Sequence, residues 1–339
     1  MKNRPITIKD IAKELNISPS TVSRALTDHP NISAKTKLAV NKLAKKLHYK
    51  PNAVALSLRN TKTNTIGLVI PGIIHHFFSS VISGIEYYAN DKHFNVMICQ
   101  SNESYEKEIT GVQTLIDSRV DGLIVSMSKE TNKFEHFKSI AEYGLPLVFF
   151  DRVCEKIETD RVIVDDMKGA FEAVEYLIST GCKRIAHLCG PEGLLISQNR
   201  LKGYLQALKQ HNIPQDNNLI INCDTYEKAL ECTNSLLSLK NPPDGIFAVN
   251  DLTAVGAMKV IKNNGLKIPE DISIIGFTND VVASFVDPSL TSVNQKGYEM
   301  GKTAAELLIN RINNNEENYS AITKIIKTNL VIRDSTKKT

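Results

Sequence analysis

Short apolar runs alternate with longer amphipathic stretches from residue 65 to residue 278, and this alternation limits the fold of most of the chain. The runs are TIGLVI (65–70), NVMIC (95–99), GLIVS (122–126), PLVFF (146–150), RIAHLCG (184–190), LIINC (219–223), GIFAVN (245–250) and ISIIGF (272–277). Stretches between them, such as SSVISGIEYYAND (79–91), have helical spacing. Wholly apolar strands separated by helices are typical of parallel sheets covered on both faces. Two sets of such units predict an α/β body with two similar lobes.

Charge is divided unevenly between the first 62 residues and the remainder. Residues 1–62 hold 13 of the 41 lysines and arginines but only 3 of the 37 acidic residues, so they carry +10 and the remainder carries −6. A basic head on an acidic body indicates that only the head meets a polyanion such as nucleic acid. On charge alone, a basic face that is merely solvated remains an alternative.

Residues 7–26 have the spacing of two short helices joined by a tight turn. The first helix has one apolar stripe, formed by Ile8, Ile11, Ala12 and Leu15. Thr7 can cap this helix, and Asn16 tolerates the left-handed conformation that ends one. Ser18 and Pro19 are suited to begin the second helix. The pattern therefore predicts a helix-turn-helix.

The second of these helices has the surface that a DNA major groove requires. Its buried face is formed by Val22, Ala25 and Leu26. Ser20 and Arg24 point the opposite way, with Thr21 and Ser23 at the flanks. Small side chains permit close approach, hydroxyls can bond bases or phosphates, and Arg24 can donate twice to one guanine. An ordinary helical hairpin is the alternative, but it leaves the basic charge unexplained.

Two more helices are predicted before residue 60. The third follows Ser33 and carries lysines on its outer faces, which we interpret as general attraction to phosphates. Pro51 ends it, and Asn52 can cap a short fourth helix over residues 53–59. That helix is marginal alone, so we expect it to form fully on DNA and in a dimer. Leu58 on it could wedge between base pairs in the minor groove or pack on the α/β body.

TIKDIAKELNISPSTVSRAL (7–26), the third helix and YKPNAVALSLR (49–59) together resemble the lactose-repressor/galactose-repressor (LacI/GalR) family of transcription regulators. The likeness extends over nearly the whole chain. It implies that Pro19, Ser20 and Arg24 stand at base-reading positions and Leu58 at an intercalating one. The complete set of predicted DNA-contacting residues is Thr7, Pro19, Ser20, Thr21, Ser23, Arg24, Asn52, Ala53 and Leu58. The family often has a longer polar side chain at the position of Pro19, so no relative's operator sequence can be copied.

The resemblance also implies the domain organisation. We expect a helix-turn-helix DNA-binding domain (1–50), a hinge helix and linker (51–61) and a two-lobed effector-binding and dimerisation domain (62–339). The fold class is therefore multidomain, with an all-α head and a periplasmic-binding-protein-like α/β sensor. Crossings between the lobes are expected near 161–164, 290–293 and 320–324. These give an N-lobe of about 62–162 and 293–322 and a C-lobe of about 163–291 and 323–337.

Polar and aromatic side chains follow the predicted strands, at the edge where such folds bind ligands. By resemblance, the effector-contacting positions are Phe77, Phe78, Asp151, Arg200, Asn250, Thr278 and Gln295. Their groups can hydrogen-bond hydroxyls and stack on a sugar ring, so we expect a sugar or oligosaccharide. Structural roles are the alternatives: Asn250 and Asp251 could cap the next helix, and the two phenylalanines could be core. Asp151 could pair with Arg152.

Two departures from the family narrow the choice of effector. Thr278 stands where many relatives have an Asp that grips ligand hydroxyls, which puts any particular monosaccharide in doubt. Leu194 stands where purine-binding relatives carry an Arg, which disfavours a purine.

Other function classes fit the sequence less well. GYEMGKT (297–303) is one residue short of a phosphate-binding P-loop, and it suggests instead a helix whose small residues pack closely. Asp165 and Asp166 are adjacent, so their side chains should point apart. A sugar-acting enzyme remains an alternative, as does a sugar-binding transport protein, which should have a secretion signal and no basic head. The six cysteines form no C-x-x-C pair, and we expect no metal, cofactor or catalytic residue.

The expected molecule is thus a DNA-binding regulator, by resemblance a repressor, bound to an inverted repeat of double-stranded operator DNA. No apolar run is long enough to cross a membrane, so we expect a cytoplasmic protein with no membrane partner. The final residues, VIRDSTKKT, lack a leucine heptad, so we expect a homodimer rather than a tetramer.

Overall fold

The structure, a computed structural model, describes residues 6–49, 62–314 and 320–338. It contains two compact units, residues 1–63 and 64–339. The hinge predicted at 51–61, with Asn52, Ala53 and Leu58, lies outside the described residues.

The head is a three-helix unit with its own small core. Its helices are α1 (Ile8–Glu14), α2 (Pro19–Leu26) and α3 (Ala34–Lys46). The core side chains are Ile11, Ala12, Val22, Ala25, Val40 and Ala44. The Asp10 carboxylate accepts the Thr7 backbone N–H at 2.8 Å, and Ser18 Oγ accepts the Thr21 N–H at 3.1 Å. Asn16 has a φ of 52° between α1 and α2, so the predicted helix-turn-helix is confirmed.

The sensor unit has strands and helices in alternation. Its strands are β1 (Thr65–Ile70), β2 (Asn95–Gln100), β3 (Leu123–Val125), β4 (Leu147–Phe150), β5 (Asp160–Val164), β6 (Ile185–Cys189), β7 (Ile220–Asn222), β8 (Gly245–Ala248), β9 (Ser273–Thr278), β10 (Thr291–Asn294), β11 (Thr323–Ile326) and β12 (Asn329–Val331). Its α-helices are α4 (His76–Asp91), α5 (Tyr105–Asp117), α6 (Glu135–Glu142), α7 (Asp166–Ser179), α8 (Leu195–Gln210), α9 (Tyr226–Leu237), α10 (Asp251–Asn263), α11 (Val282–Phe285) and α12 (Gly297–Asn313).

These elements form two lobes, each built on a six-stranded sheet. The N-lobe sheet has the order β11-β5-β4-β3-β1-β2, and the C-lobe sheet has the order β12-β10-β9-β8-β6-β7. All pairings are parallel except that of β12 with β10, which is antiparallel. Separate apolar clusters cover the two faces of each sheet, as expected for strands buried on both sides.

The chain passes between the sheets three times, after β5, after β10 and between β11 and β12. The third passage corrects the sequence-based boundary, because residues 323–326 lie in the N-lobe sheet rather than in the C-lobe. Only Ile326 of β11 is buried, so this edge strand carries little of the apolar pattern that reveals a strand.

The P-loop-like glycines serve helix packing inside the N-lobe. A Cβ atom added at Gly301 of α12 would overlap the backbone oxygen of Val81 on α4. A Cβ atom added at Gly84 of α4 would likewise overlap the backbone oxygen of Tyr298 on α12. The two helix backbones therefore touch at glycines.

Candidate functional site

A cavity of about 420 Å³ opens between the two lobes, at the carboxyl ends of their strands. All seven predicted effector-contacting residues line it: Phe77, Phe78, Asp151, Arg200, Asn250, Thr278 and Gln295. The fold thus brings together side chains from both lobes and from the second crossing. Their contact with an effector remains a prediction. We call this cavity the cleft.

Phe77 and Phe78 form the aromatic part of the cleft wall. They begin α4, and their rings meet edge to face at 5.2 Å between centroids. Both belong to the core of the N-lobe and are 8% and 4% exposed. The two phenylalanines are thus core residues, which was one of the alternatives that the sequence left open, and both rings also border the cleft.

Asp151 is a buried carboxylate with few donors among the described residues. It follows β4 with a φ of 55° and accepts a long hydrogen bond of 3.4 Å from Gln295 Nε2. Arg152, the alternative partner, turns instead to Glu103, with 2.7 Å from Nη1 to Oε2 and 4.0 Å from Nε to Asp151. Burial raises the pKa of Asp151, although Arg152 and Arg200 oppose the shift. This carboxylate can therefore accept hydrogen bonds from a bound ligand.

Arg200 is held rigidly on α8. Its Nε donates to Asp166 Oδ1 at 2.8 Å, and its Nη1 donates to the Val249 carbonyl at 2.5 Å. The guanidinium carbon lies 3.7 Å from the centroid of the Phe277 ring. Arg200 is only 3% exposed, so packing and hydrogen bonds fix its orientation in the cleft wall.

Asp166, which holds Arg200, was not among the predicted site residues. Its neighbour Asp165 caps α7 by accepting the Lys168 N–H at 3.0 Å, so the two carboxylates do point apart. Burial raises the pKa of Asp166 to about 6, despite the opposing charge of Arg200. Because Asp166 stands at the start of a predicted helix, its sequence position suggests helix capping. Its ion pair with Arg200 therefore could not be predicted from that position.

Asn250 has the capping role that the sequence left open. Its Oδ1 accepts the Thr253 N–H at 2.9 Å at the start of α10, and its Nδ2 donates to the Asp224 carbonyl at 2.9 Å. Asp251 accepts from Ser292 Oγ at 2.5 Å and from the Asp280 N–H at 2.6 Å. Burial raises the pKa of Asp251 to about 6. Both side chains thus brace the C-lobe beside the cleft.

Thr278 and Gln295 continue the hydrogen bonding across the lobes. Thr278 has a φ of 134°, which is unusual for a β-branched residue. Its hydroxyl donates to Gln295 Oε1 at 3.0 Å, while Gln295 donates to Asp151. A continuous chain therefore runs from the C-lobe through the second crossing to the N-lobe.

The sequence analysis did not identify the charged cleft residues Glu103, Lys129 and Asp224. Each lies in a loop after a strand, and charged residues are common in such loops, so their type alone does not indicate a binding site. Asp224 directly follows the apolar run LIINC, and this position at the end of a predicted strand could have indicated a cleft residue.

Asp166 and Asp251 should make the sensor unit less stable as the pH rises from about 5 to about 7. Their folded pKa is about 6, above the ordinary 3.8, so the folded state keeps protons that the unfolded state has released. Each group should lower the free energy of unfolding by about 1 kcal/mol over that range.

His187 has the opposite effect on stability in the same pH range. Burial lowers its pKa to about 4, so the unfolded state binds a proton at a higher pH than the folded state, and stability rises with pH. The test therefore compares wild type with Asp251→Asn. The free energy of unfolding of each protein is measured by urea unfolding across this pH range. The variant should lack about 1 kcal/mol of the pH-dependent change that Asp251 contributes. Identical pH profiles would show that Asp251 titrates normally.

The outer face of α2 carries the predicted base-reading residues. Pro19, Ser20 and Arg24 are exposed, whereas Thr21 and Ser23 are half-buried. Ser18 Oγ lies 2.7 Å from Ser20 Oγ and 2.8 Å from Thr21 Oγ1, so these hydroxyls already share the helix cap. Arg24 is left as the long donor on this face, and Thr7 is exposed at the start of α1.

The lysines of α3 are not all available to phosphates. Lys37 pairs with Asp28 at 2.6 Å, within the head. Lys42, Lys45 and Lys46 are exposed. Across 6–49, 62–314 and 320–338, no helix is long and apolar enough to cross a membrane, and no His, Cys, Asp or Glu cluster suits a metal.

Comparison with known proteins places both units in families. Residues 7–52 match "Bacterial regulatory proteins, lacI family", and residues 174–336 match "Periplasmic binding protein-like domain". The transcriptional repressor CytR of Escherichia coli (strain K12) is 34% identical over 98% of this chain and 96% of its own length. It is a repressor rather than an enzyme.

Two solved structures share the architecture. The Lac repressor dimer bound to operator and the anti-inducer ONPF is 25% identical, with a TM-score of 0.86 over 99% of this chain and all of its own. The complex of the transcriptional regulator CelR with cellobiose is 27% identical, with a TM-score of 0.75 over 98% of this chain and all of its own. With a helix-turn-helix head and a cleft between two α/β lobes, this chain belongs to the lacI family of transcription regulators, repressors with a DNA-binding and an effector-binding domain.

Proposed function

We propose that this protein is a homodimeric repressor that reads an inverted-repeat operator through α2 and answers to a sugar bound in the cleft. The observation that carries the effector assignment is the convergence of all seven predicted residues on one cavity of about 420 Å³. Because a repressor acts where its operator is, we place the protein in the cytoplasm.

The DNA part rests on the surface of α2. Arg24 is exposed on the same face as Ser20, while Val22 and Ala25 are buried in the head core. A helix of this kind fits the major groove, and two copies of the head would read the two halves of an inverted repeat. The Lac repressor structure, a dimer on operator, supports this arrangement.

The effector part rests on the chemistry of the cleft. Asp151 can accept hydrogen bonds, Arg200 is fixed in the wall, and Phe77 and Phe78 present aromatic surface. Hydroxyl groups supply the donors that Asp151 lacks, and a ring face packs on an aromatic side chain. The cellobiose complex of CelR supports a sugar in a cleft of this architecture. Leu194 also lines the cleft, and it offers no polar group to a purine.

Control of DNA binding would follow from differential affinity. A ligand that touches both lobes favours one lobe arrangement over another, and only that difference can shift the affinity for operator. The chain of hydrogen bonds from Thr278 through Gln295 to Asp151 joins the lobes at the second crossing. An effector bound beside Gln295 would therefore act directly on the hydrogen bonds that connect the two lobes.

Selection of genomic DNA tests the proposal. Purified full-length protein is mixed with sheared DNA from its source organism, and the bound fragments are sequenced. We expect an inverted repeat whose half-sites lie about one to two helical turns apart. Cellobiose, glucose and ribose are then tested for an effect on that binding.

The two parts of the proposal fail separately. No enrichment even at low salt, where phosphate contacts are strongest, would contradict the DNA-binding role. An enriched operator whose binding no sugar alters would contradict the sugar assignment and leave the DNA role intact.

A further inference from the structure

One ion pair bridges the two lobes across the cleft. Lys129 follows β3 of the N-lobe, Asp224 follows β7 of the C-lobe, and Lys129 Nζ lies 2.6 Å from Asp224 Oδ2. The side chains are 27% and 5% exposed. Burial opposes ionisation of Asp224, but hydrogen bonds from Lys129 and Lys228 hold its pKa below the usual value. The contact is therefore between two charged groups.

The loop that carries Lys129 is anchored in the N-lobe. The Lys129 backbone N–H donates to Glu103 Oε2 at 2.9 Å, and the Ser128 N–H donates to Glu108 Oε2 at 2.6 Å. Glu108 is fully buried and lies 2.9 Å from His136 Nε2. Because the backbone is fixed to its own lobe, any separation of the lobes must stretch the ion pair itself.

Each partner of the ion pair has a second partner on its own lobe. Lys129 Nζ lies 4.0 Å from Glu103 Oε1, and Lys228 Nζ lies 2.7 Å from Asp224 Oδ1. Breaking a buried ion pair is costly mainly because it leaves a buried charge unpaired. Here separation leaves Lys129 beside Glu103 and Asp224 beside Lys228, so the bridge can open at low cost.

The bridge also stands at a boundary between two cavities. Lys129 and Asp224 both line the cleft. Lys129 in addition lines an outer cavity of about 680 Å³, which Ser104 and Tyr105 of the N-lobe border together with Gly193 of the C-lobe. Its side chain therefore lies between the cleft and the space outside.

We propose that Lys129 and Asp224 form a reversible latch, which closes the lobes over the cleft and whose opening admits the effector. Admission of the effector rests on the proposed function, whereas closure of the lobes by the ion pair does not. Since the attraction is electrostatic and the Lys129 side chain is partly exposed, salt should open the latch. The screening length falls to about 3 Å at about 1 M salt.

Carbodiimide cross-linking of the full-length protein tests the contact without DNA or ligand. The reagent joins a carboxylate to a nearby amine as an amide, which peptide mass spectrometry identifies. We expect a Lys129–Asp224 cross-link at low salt that falls several-fold at about 1 M NaCl. The Lys228–Asp224 cross-link is the internal reference, because the two residues are only four apart in the sequence and stay close together at any salt. Finding the reference cross-link alone would overturn the latch.

Hydrogen–deuterium exchange tests whether the ion pair closes the lobes. Lys129→Met should raise exchange several-fold at the cleft-facing amides of residues 126–131 and 190–197, whereas Lys129→Arg should exchange like wild type. Arg keeps the charge, so the pair of variants separates loss of the ion pair from a change of side chain. Exchange in Lys129→Met equal to wild type would overturn the proposal. Neither result depends on operator binding or on the effector, so the proposed function can fail independently.

Discussion

Replacement of Arg200 with alanine should lower the free energy of unfolding of the sensor unit by about 3–5 kcal/mol, the usual cost of a buried charge without its partner. The variant leaves Asp166, which is 4% exposed, without the donor that now lies at 2.8 Å. It also removes the contact with the Phe277 ring and the hydrogen bond to the Val249 carbonyl. Urea unfolding followed by circular dichroism measures the loss.

The same variant should no longer respond to the effector found by operator selection. Its binding to operator in the absence of effector should equal that of wild type, because α2 belongs to the separate head unit. The matched control is Arg200→Met combined with Asp166→Asn, which removes both charges at similar volume. The double variant should recover most of the stability but not the ligand response. A normal response of either variant at ordinary effector concentration would show that Arg200 does not contact the ligand.

Arg24→Ala should weaken binding to the selected operator by about 10- to 100-fold, which corresponds to the loss of one bidentate contact to a guanine. The side chain is exposed on α2 and contributes nothing to the head core, so the fold of the head should survive. Fluorescence anisotropy with the operator and with a scrambled duplex of equal length measures the ratio of specific to nonspecific affinity.

Lys46→Ala is the control for Arg24→Ala, because it removes an exposed charge of the same sign on α3. Loss of a phosphate contact weakens both duplexes alike and reduces the salt slope by about 1. We therefore expect the affinity ratio to fall for Arg24→Ala and to stay constant for Lys46→Ala. A constant ratio in both variants would exclude base reading by Arg24.

The structure also shows where sequence patterns are informative about the site. The cleft residue Asp151 directly follows β4, and Asn250 lies two residues after the end of β8. In a parallel sheet the carboxyl ends of strands meet at one edge. Arg200 and Gln295 came from family resemblance, since a helical arginine and a glutamine after a short strand carry no pattern of their own. The position of β11 escaped for the same reason, because only one of its four residues is buried.

The sequence by itself determined the class of the fold and eight of the twelve described strands. Apolar runs, period-3.6 spacing, capping residues such as Ser18 and the breaks at turn residues are local properties, and local backbone energetics decide them. Only the tertiary structure decided which charges meet. Arg200 pairs with Asp166, which lies 34 residues away in the sequence. Lys129 met Asp224 on the other lobe. Such pairings depend on how two separately folded lobes face each other, and no local periodicity along the chain records that geometry.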